Sequence, residues 1–331
     1  MNGSAIIGQS PQINQVKQLV NRISRLSEVA VLIRGETGTG KEVVARAIHD
    51  ATVTDDALFV EMNCAGIPEQ LLESELFGYE KGAYTGADRT KKGMLEMAHR
   101  GTLLLDEIGD MSMRLQAKLL KAVEEKSFRR LGGEKVIQVK TRIIASTNVD
   151  LEKAIQEGNF REDPYYRLNE IQLDLPPLRA RNGDAVLLAK HFMEEFSVQY
   201  QLTDRRLAPT AQELLTQYNW PGNVRELRNA IKRAMIMNDV PEITADMIPV
   251  SIRSSNSLAA QVSGGRNLVI EIPDEGIAYD DMERLIIDSM LDLTAGNKNR
   301  TARMLRISYP RLLRKIAKYE LVERNPRAKT V

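Results

Sequence analysis

The chain has 331 residues, with 46 Lys and Arg against 45 Asp and Glu, and a formal charge of +1. Its 43% hydrophobic and 27% charged content is that of an ordinary globular protein long enough for two or three domains. The single cysteine, Cys64, excludes an internal disulfide or a cysteine-based zinc cluster.

No basic n-region followed by an apolar stretch opens the sequence, and no apolar run approaches the ~18 residues of a membrane span, so a soluble cytoplasmic protein is expected. His49, His99 and His191 lack the spacing of a helical metal site and read as packing or surface residues. The charge is uneven. Asn297–Val331 carries eleven basic and two acidic residues, a net +9, and the first 296 residues carry −8. A basic tail points to an anionic partner.

In chain order, Val29–Arg34 is an apolar, β-branched run that predicts a buried strand. A Gly-rich turn follows, then a helix over Lys41–His49. Phe59–Asn63, Thr102–Asp106 and Thr141–Ser146 are further strands, with helical patterns such as Arg114–Glu125 between them. That alternation predicts an α/β fold with a mostly parallel sheet covered on both faces. From about Leu178 strand signals stop, and amphipathic helices are expected over Ala185–Tyr200, Ala208–Tyr218 and Val224–Asn238. Ser251–Gly276 has the composition of a linker, and a helical unit runs from near Tyr279 to near Leu321. The expected domains are therefore 1–175 (α/β), 176–252 (helical), 253–278 (linker) and 279–325 (helical).

Gly35-Glu36-Thr37-Gly38-Thr39-Gly40-Lys41 matches the phosphate-binding loop G-x-x-x-x-G-K between a strand and a helix. Its glycines let backbone N–H groups face phosphate oxygens at the positive end of the helix, and Lys41 adds a point charge. Position 42 is Glu42 where Ser or Thr is the common Mg²⁺ ligand, so the metal must lean on other groups. Gly101-Thr-Leu-Leu-Leu-Asp106-Glu107 places two carboxylates at a strand end, about 65 positions after Lys41. Asp106 suits the Mg²⁺ shell, and Glu107 suits a general base for the attacking water.

Glu73-Ser-Glu-Leu-Phe-Gly-Tyr-Glu-Lys-Gly82-Ala83-Tyr84-Thr85-Gly86-Ala87 resembles the signature loop of bacterial sigma-54-dependent transcriptional activators, usually GAFTGA and here GAYTGA. Asn63-Cys64, Arg161-Glu-Asp-Pro-Tyr-Tyr-Arg167-Leu-Asn and Trp220-Pro-Gly-Asn-Val-Arg225-Glu-Leu follow in the family's order, so the resemblance covers roughly residues 5–321. It implies an AAA+ P-loop ATPase with a helical lid. It also implies that Arg161 and Arg167 are arginine fingers reaching a neighbouring subunit's γ-phosphate, and that Arg225 is sensor II. Thr147-Asn148 would be sensor I, and Asn63 a switch residue that holds Glu107 away from water. Pro164, where the family usually has Leu, puts the geometry between the fingers in doubt, because proline lacks an N–H and fixes φ. Fingers acting in trans imply an oligomeric ring, a hexamer in the family and a dimer when inactive. The 82–87 tip, too poor in bulk to build a core, is expected to present Tyr84 and Thr85 to sigma-54 RNA polymerase. Ser127–Val139 resembles the family's second substrate-facing loop.

At the C-terminus, Met282, Leu285, Ile286, Met290 and Leu293 predict one apolar helix face, followed by short helices over Asn299–Leu305 and Tyr309–Tyr319. This resembles the Fis-type helix-turn-helix and implies binding to double-stranded enhancer DNA. Leu312, Leu313, Ile316 and Ala317 are expected inside. Arg311, Arg314, Lys315 and Lys318 would face phosphates or base edges, together with Asn299, Arg300, Thr301, Ser308 and Tyr309. Ser308 is the expected N-cap and Pro310 a first-turn residue. Arg306 stands where the turn usually has Gly, and Thr301 where Ala is common.

The expected function is ATP-driven transcription activation. A DNA-binding repressor with a vestigial ATPase and an AAA+ unfoldase are the competing readings, opposed by the intact GAYTGA and by the helix-turn-helix respectively. The ATPase motif starts almost at the first residue, so no receiver domain is expected ahead of it. Control by a regulatory protein in trans, a trimmed domain and one never present all remain open.

Overall fold

The computed structural model describes residues 5–26, 28–52, 57–202, 205–248, 279–294, 296–305 and 307–319. The expected linker, Arg306 and residues 320–325 lie outside these, as do the side chains of Met282 and Leu293. The chain divides into two units, 1–260 and 261–331.

In the first unit, helix α1 (Pro11–Ile23) precedes strand β1 (Val31–Arg34), the phosphate loop and α2 (Lys41–Asp50). Then come β2 (Phe59–Asn63), α3 (Glu69–Phe77), the short strands β3 (Gly78–Tyr79) and β4 (Lys91–Lys92), α4 (Met94–Met97) and β5 (Thr102–Asp106). Helix α5 (Met113–Glu125), the hairpin β6 (Ser127–Arg129) and β7 (Val136–Gln138), β8 (Arg142–Thr147), α6 (Leu151–Gln156), α7 (Glu162–Leu168) and β9 (Ile171–Asp174) complete the α/β part. β2, β5, β8, β1 and β9 form one sheet in that order, with every pairing parallel. The central strands β5 and β8 are buried along nearly their whole length, because helices cover both faces. Leu103, Leu105, Ile143 and Ala145 pack on one side, and Val31, Ile33, Leu104 and Ile144 on the other. Parallel pairing brings the ends of β1, β5 and β8 to one edge, and the functional loops leave from there.

The helical part contains α8 (Asp184–Tyr200), β10 (Arg206–Leu207), α9 (Pro209–Gln217), α10 (Asn223–Met237) and β11 (Glu242–Ile243). It is not wholly helical, since β10 and β11 pair in parallel over two residues each. Trp220 is its largest fully buried side chain. The indole N–H donates to the Leu215 carbonyl at 2.9 Å, and the ring meets Tyr218 edge-on at 5.0 Å. The N-terminal segment is tied to this part. Asp184 accepts from the backbone N–H groups of Gln9 (2.7 Å) and Ser10 (3.0 Å) and from the Ser10 hydroxyl (2.8 Å).

The described residues of the second unit form three helices: α11 (Tyr279–Leu293), α12 (Lys298–Met304) and α13 (Tyr309–Lys318). Its small core is Ile287, Leu291, Ala302 and Leu312. The inward seam of α11 is thus rotated from the expected one. Ile287 and Leu291 are buried, whereas Leu285 is exposed. On α13 Leu312 is buried and Ile316 half-buried, but Leu313 and Ala317 face solvent, so the inward stripe is narrower than the four expected residues. Asn297 caps α12 by accepting the Arg300 N–H at 3.1 Å. Ser308 occupies the N-cap position of α13 without a side-chain capping bond, and Pro310 lies in the first turn.

Candidate functional site

The phosphate loop leaves β1 and curls through Gly38 (φ 81°) and Gly40 (φ 101°), both in the region that glycine tolerates. Lys41, the first residue of α2, is buried, and its ammonium donates to the Gly35 carbonyl at 3.0 Å and to Glu107 Oε1 at 3.3 Å. Glu107 follows β5 with a left-handed backbone (φ 51°), a costly conformation for a non-glycine residue. Its second oxygen accepts the Asn148 N–H at 3.1 Å, and the Asn148 side-chain amide donates to the Thr37 hydroxyl at 3.0 Å. The phosphate loop, the carboxylate pair and the sensor I position therefore meet at the carboxyl ends of β1, β5 and β8, as expected.

Asp106 accepts from the Ser146 hydroxyl. Asn63 stands opposite Asp106 in the β2–β5 register, but its Oδ1 accepts the Ala65 N–H at 2.8 Å. Among the described residues Glu107 is held by Lys41 and Asn148, so the expected grip of Asn63 on Glu107 is not made here. Glu42 projects from the first turn of α2 toward Arg46 at 3.5 Å.

Arg225 is brought to the loop as expected. Its backbone N–H and that of Val224 donate to the Gly38 carbonyl, at 3.2 and 2.9 Å. Arg225 enters no ion pair among the described residues and its side chain is exposed beside the loop. The Glu36 carboxylate turns from the loop to Arg179 and Asn223. Those two donors hold its pKa down at about 2.

A cavity of about 300 Å³ opens beside Gly40, bounded by Ile7, Val43, Leu188, His191 and Val224. Its apolar walls suit a flat aromatic base next to the phosphate loop. Reading the sequence missed this pocket, because its walls come from the N-terminus, α2 and the lid. The pair Ile6-Ile7 ahead of α1 was the only local signal. A second crevice of about 470 Å³ lies past Gly35 and Asn148 at the ends of β1, β8 and β9.

Arg161 is the N-cap of α7 and Arg167 lies in its last turn. The Arg161 N–H donates to Gln116 Oε1 at 2.8 Å, and its guanidinium lies 3.4 Å from Asp163. Arg167 pairs with Glu170 at 2.6 Å, and Glu170 also accepts the Ala30 N–H, just ahead of β1, at 3.1 Å. The phosphate loop leaves the far end of β1, so about 13 Å of strand separates Arg167 from its own chain's loop. Pro164 is the third residue of α7, where its missing N–H would have had no partner within the helix, and α7 runs unbroken between the two arginines.

The GAYTGA tip lies between β3 and β4. The Gly82 N–H donates to the Ala87 carbonyl at 2.9 Å, which closes the turn, and Gly82 (φ 83°) and Gly86 (φ 99°) supply its left-handed bends. Tyr84, Thr85 and Gly86 are exposed and Ala87 is buried. Tyr84 stands edge-on to Tyr79 at 5.1 Å. The β6–β7 turn touches the tip: a Cβ on Gly132 would come within 2.8 Å of Ala83 Cβ.

In the second unit Asn299, Arg300, Ser308, Tyr309, Arg311 and Arg314 are exposed. Lys318 is exposed as well, Lys315 is half-buried and Thr301 is buried. Thr301 is fully buried, its hydroxyl bonded to the Asn297 carbonyl at 2.9 Å and to the Thr294 hydroxyl at 2.6 Å. Lys315 pairs with Glu283 at 2.5 Å and Lys318 with Asp280 at 2.8 Å, both carboxylates on α11. These two ion pairs fasten α13 to α11.

Family models match in the same order along the chain: a sigma-54 interaction domain over residues 6–174, an AAA+ ATPase lid domain over 179–264 and a Fis-family bacterial regulatory domain over 279–319. Regulatory protein AtoC of Escherichia coli K12 is 47% identical over 318 residues, which span 95% of this chain and 67% of that protein. This chain is a member of the sigma-54-dependent transcriptional activators. The Nif-specific regulatory protein of Klebsiella pneumoniae is 46% identical over 259 residues, 78% of this chain and 49% of that protein. Among solved structures, NtrX from Brucella abortus has a TM-score of 0.75 at 34% identity, with 95% of this chain and 69% of that one covered. NtrX has also been solved with ADP and with ATP, at TM-scores of 0.74 and 0.72. The activator thus combines an AAA+ ATPase, its lid and a DNA-binding helix-turn-helix. No described helix is long and apolar enough to cross a membrane.

Proposed function

We infer that this activator binds enhancer DNA through α12 and α13 and hydrolyses ATP in a ring, a hexamer formed from inactive dimers. Hydrolysis then drives the GAYTGA tip against sigma-54 and remodels the closed polymerase complex to the open one. A regulatory protein acting in trans fits the same scheme. The observation that carries this reading is the meeting of Lys41, Glu107 and Asn148 at the strand ends, in a subunit that also exposes Tyr84 and Thr85.

Adenine would lie in the pocket beside Gly40, and the triphosphate along the loop. Lys41 would counter phosphate charge, while Glu107 would take a proton from the attacking water. Arg167, too far from its own loop, would serve the neighbour's γ-phosphate together with Arg161. A finger supplied in trans contributes about 10³–10⁵ in rate. The described residues hold no cluster of three metal-ligating side chains. Asp106 alone at the loop therefore suits Mg²⁺ carried in on the phosphates and otherwise held by water, a ligand set that this ion favours. The ion would neutralise charge on the β- and γ-phosphates. The intact loop, base and tip leave the vestigial-ATPase repressor without support.

Transcription in vitro with sigma-54 RNA polymerase tests the reading. The wild-type chain should open a sigma-54 promoter only with ATP. Glu107→Gln should bind ATP yet hydrolyse it at least about 100-fold more slowly, the usual scale for losing a general base. Thr85→Ala should keep most ATPase activity and open no promoter. ATP-independent opening by the wild type would refute the proposal.

A further inference from the structure

Four successive residues of the phosphate loop are gripped from the lid side. Glu36 accepts from Arg179 at 2.8 and 2.5 Å and from the Asn223 amide at 3.1 Å. The Thr37 carbonyl accepts from the same amide at 3.1 Å. Gly38 O takes the Val224 and Arg225 N–H groups, and Thr39 O takes the Arg181 guanidinium at 3.0 Å. A planar trans peptide directs its N–H opposite to its C=O. Turning the carbonyls of 37, 38 and 39 toward the lid therefore turns the N–H groups of 38, 39 and 40 away from it; that of Thr39 donates to the Glu36 carbonyl at 3.3 Å, and those of Gly38 and Gly40 point to where an anion can collect them.

Asn223 is the hub of this contact. It is fully buried and left-handed (φ 52°), a conformation that asparagine tolerates better than most residues. Its Oδ1 accepts the Leu178 N–H at 2.8 Å, which fixes the amide so that Nδ2 must point at Glu36 and Thr37. Two residues on is Arg225. The fit is close: a Cβ on Gly38 would stand 2.4 Å from the Gly222 carbonyl and 3.1 Å from Arg225 Cβ. Glu36 and Arg179 are each nearly half exposed, so their ion pair adds little to global stability. Its effect is local, on where the start of α10 sits.

The geometry points to Glu36, Arg179 and Asn223 as a latch that sets the position of Arg225 over the phosphate loop. Glu36 is then a positioning residue and not a nucleotide ligand, although it lies inside the phosphate-binding motif. This rests on reading the loop as the ATP site and Arg225 as the lid residue that touches nucleotide.

A double-mutant cycle on the full chain tests it, with a fluorescent ATP analogue titrated into wild type, Glu36→Ala, Arg225→Ala and the double variant. Glu36→Ala should weaken binding about tenfold in the wild-type background and less than about threefold once Arg225 is gone, because contacting groups acting through one another are not additive. Glu36→Gln, which keeps an acceptor for Asn223, should recover most of the loss, and the melting temperature should not move. Equal losses in both backgrounds would overturn the latch, as would undiminished binding by Glu36→Ala. If Glu36→Ala does not fold, Arg179→Ala replaces it in the same cycle. A wild-type chain that fails to bind the analogue would instead defeat the ATP-site reading.

Discussion

Cys64 follows the end of β2 at the floor of the carboxylate pair. It is buried, its N–H donates to the Asp106 carbonyl at 2.8 Å, and burial together with the charges of Asp106, Asp110 and Glu107 pushes its thiol up to about 12. The reactive species is the thiolate, so this cysteine should be inert in the folded chain. We expect iodoacetamide at pH 8 to alkylate Cys64 more than about 100-fold more slowly in the native protein than in urea, as followed by intact mass. Rapid labelling of the native protein would mean that the end of β2 opens readily. The sign for stability follows from the raised pKa. Between about pH 9 and 12 the unfolded chain gives up this proton and the folded chain keeps it, so this contribution is lost as pH rises.

At the scale of elements, legibility followed burial and length. The strands Phe59–Asn63 and Thr102–Asp106 and the helices of the lid were readable because they are apolar runs or strongly amphipathic. β9 was not, since it is an edge strand with only Leu173 fully buried and so too little pattern, and β10 and β11 are two residues each. The loop, the carboxylate pair and the tip were legible as motifs. The turn of Glu36 toward the lid was not, because its partner Asn223 lies 187 positions away. Thr301 reads as a polar helix residue, and only the fold puts its hydroxyl against Thr294. The same blindness affects the basic helix α13, where charge alone cannot separate a DNA contact from an internal ion pair. Arg311→Ala should weaken DNA binding and lower the magnitude of its log–log salt slope by about 1, as expected for one lost phosphate contact. Lys315→Ala should leave that slope unchanged and cost about 1 kcal/mol of stability, because it breaks a half-buried pair with Glu283. Anisotropy titrations over a salt series, with thermal melts, separate the two; a slope change for Lys315→Ala would return that lysine to the DNA surface.

For the whole molecule, the near-zero total charge joins an acidic ATPase to a basic reader of DNA, and neither part completes the proposed reaction alone. In the proposed mechanism Lys41 and Glu107 supply one half of a catalytic site, and the other half would leave the subunit with Arg167, on the far side of β1 from its own loop. A ring is the arrangement in which every subunit both offers and receives that arginine. Lys41→Ala and Arg167→Ala chains should each be nearly inactive, the first unable to hold phosphate and the second unable to serve its neighbour. Mixed in equal amounts and allowed to exchange, they should regain ATPase activity. A working site needs an Arg167→Ala subunit, whose loop is intact, beside a Lys41→Ala subunit, whose finger is intact. Random assembly gives about one site in four, hence roughly a quarter of wild-type activity if sites act independently. Activity that stays at the level of the separate variants would place Arg167 in its own subunit's site or outside catalysis, and would remove the reason for requiring a ring.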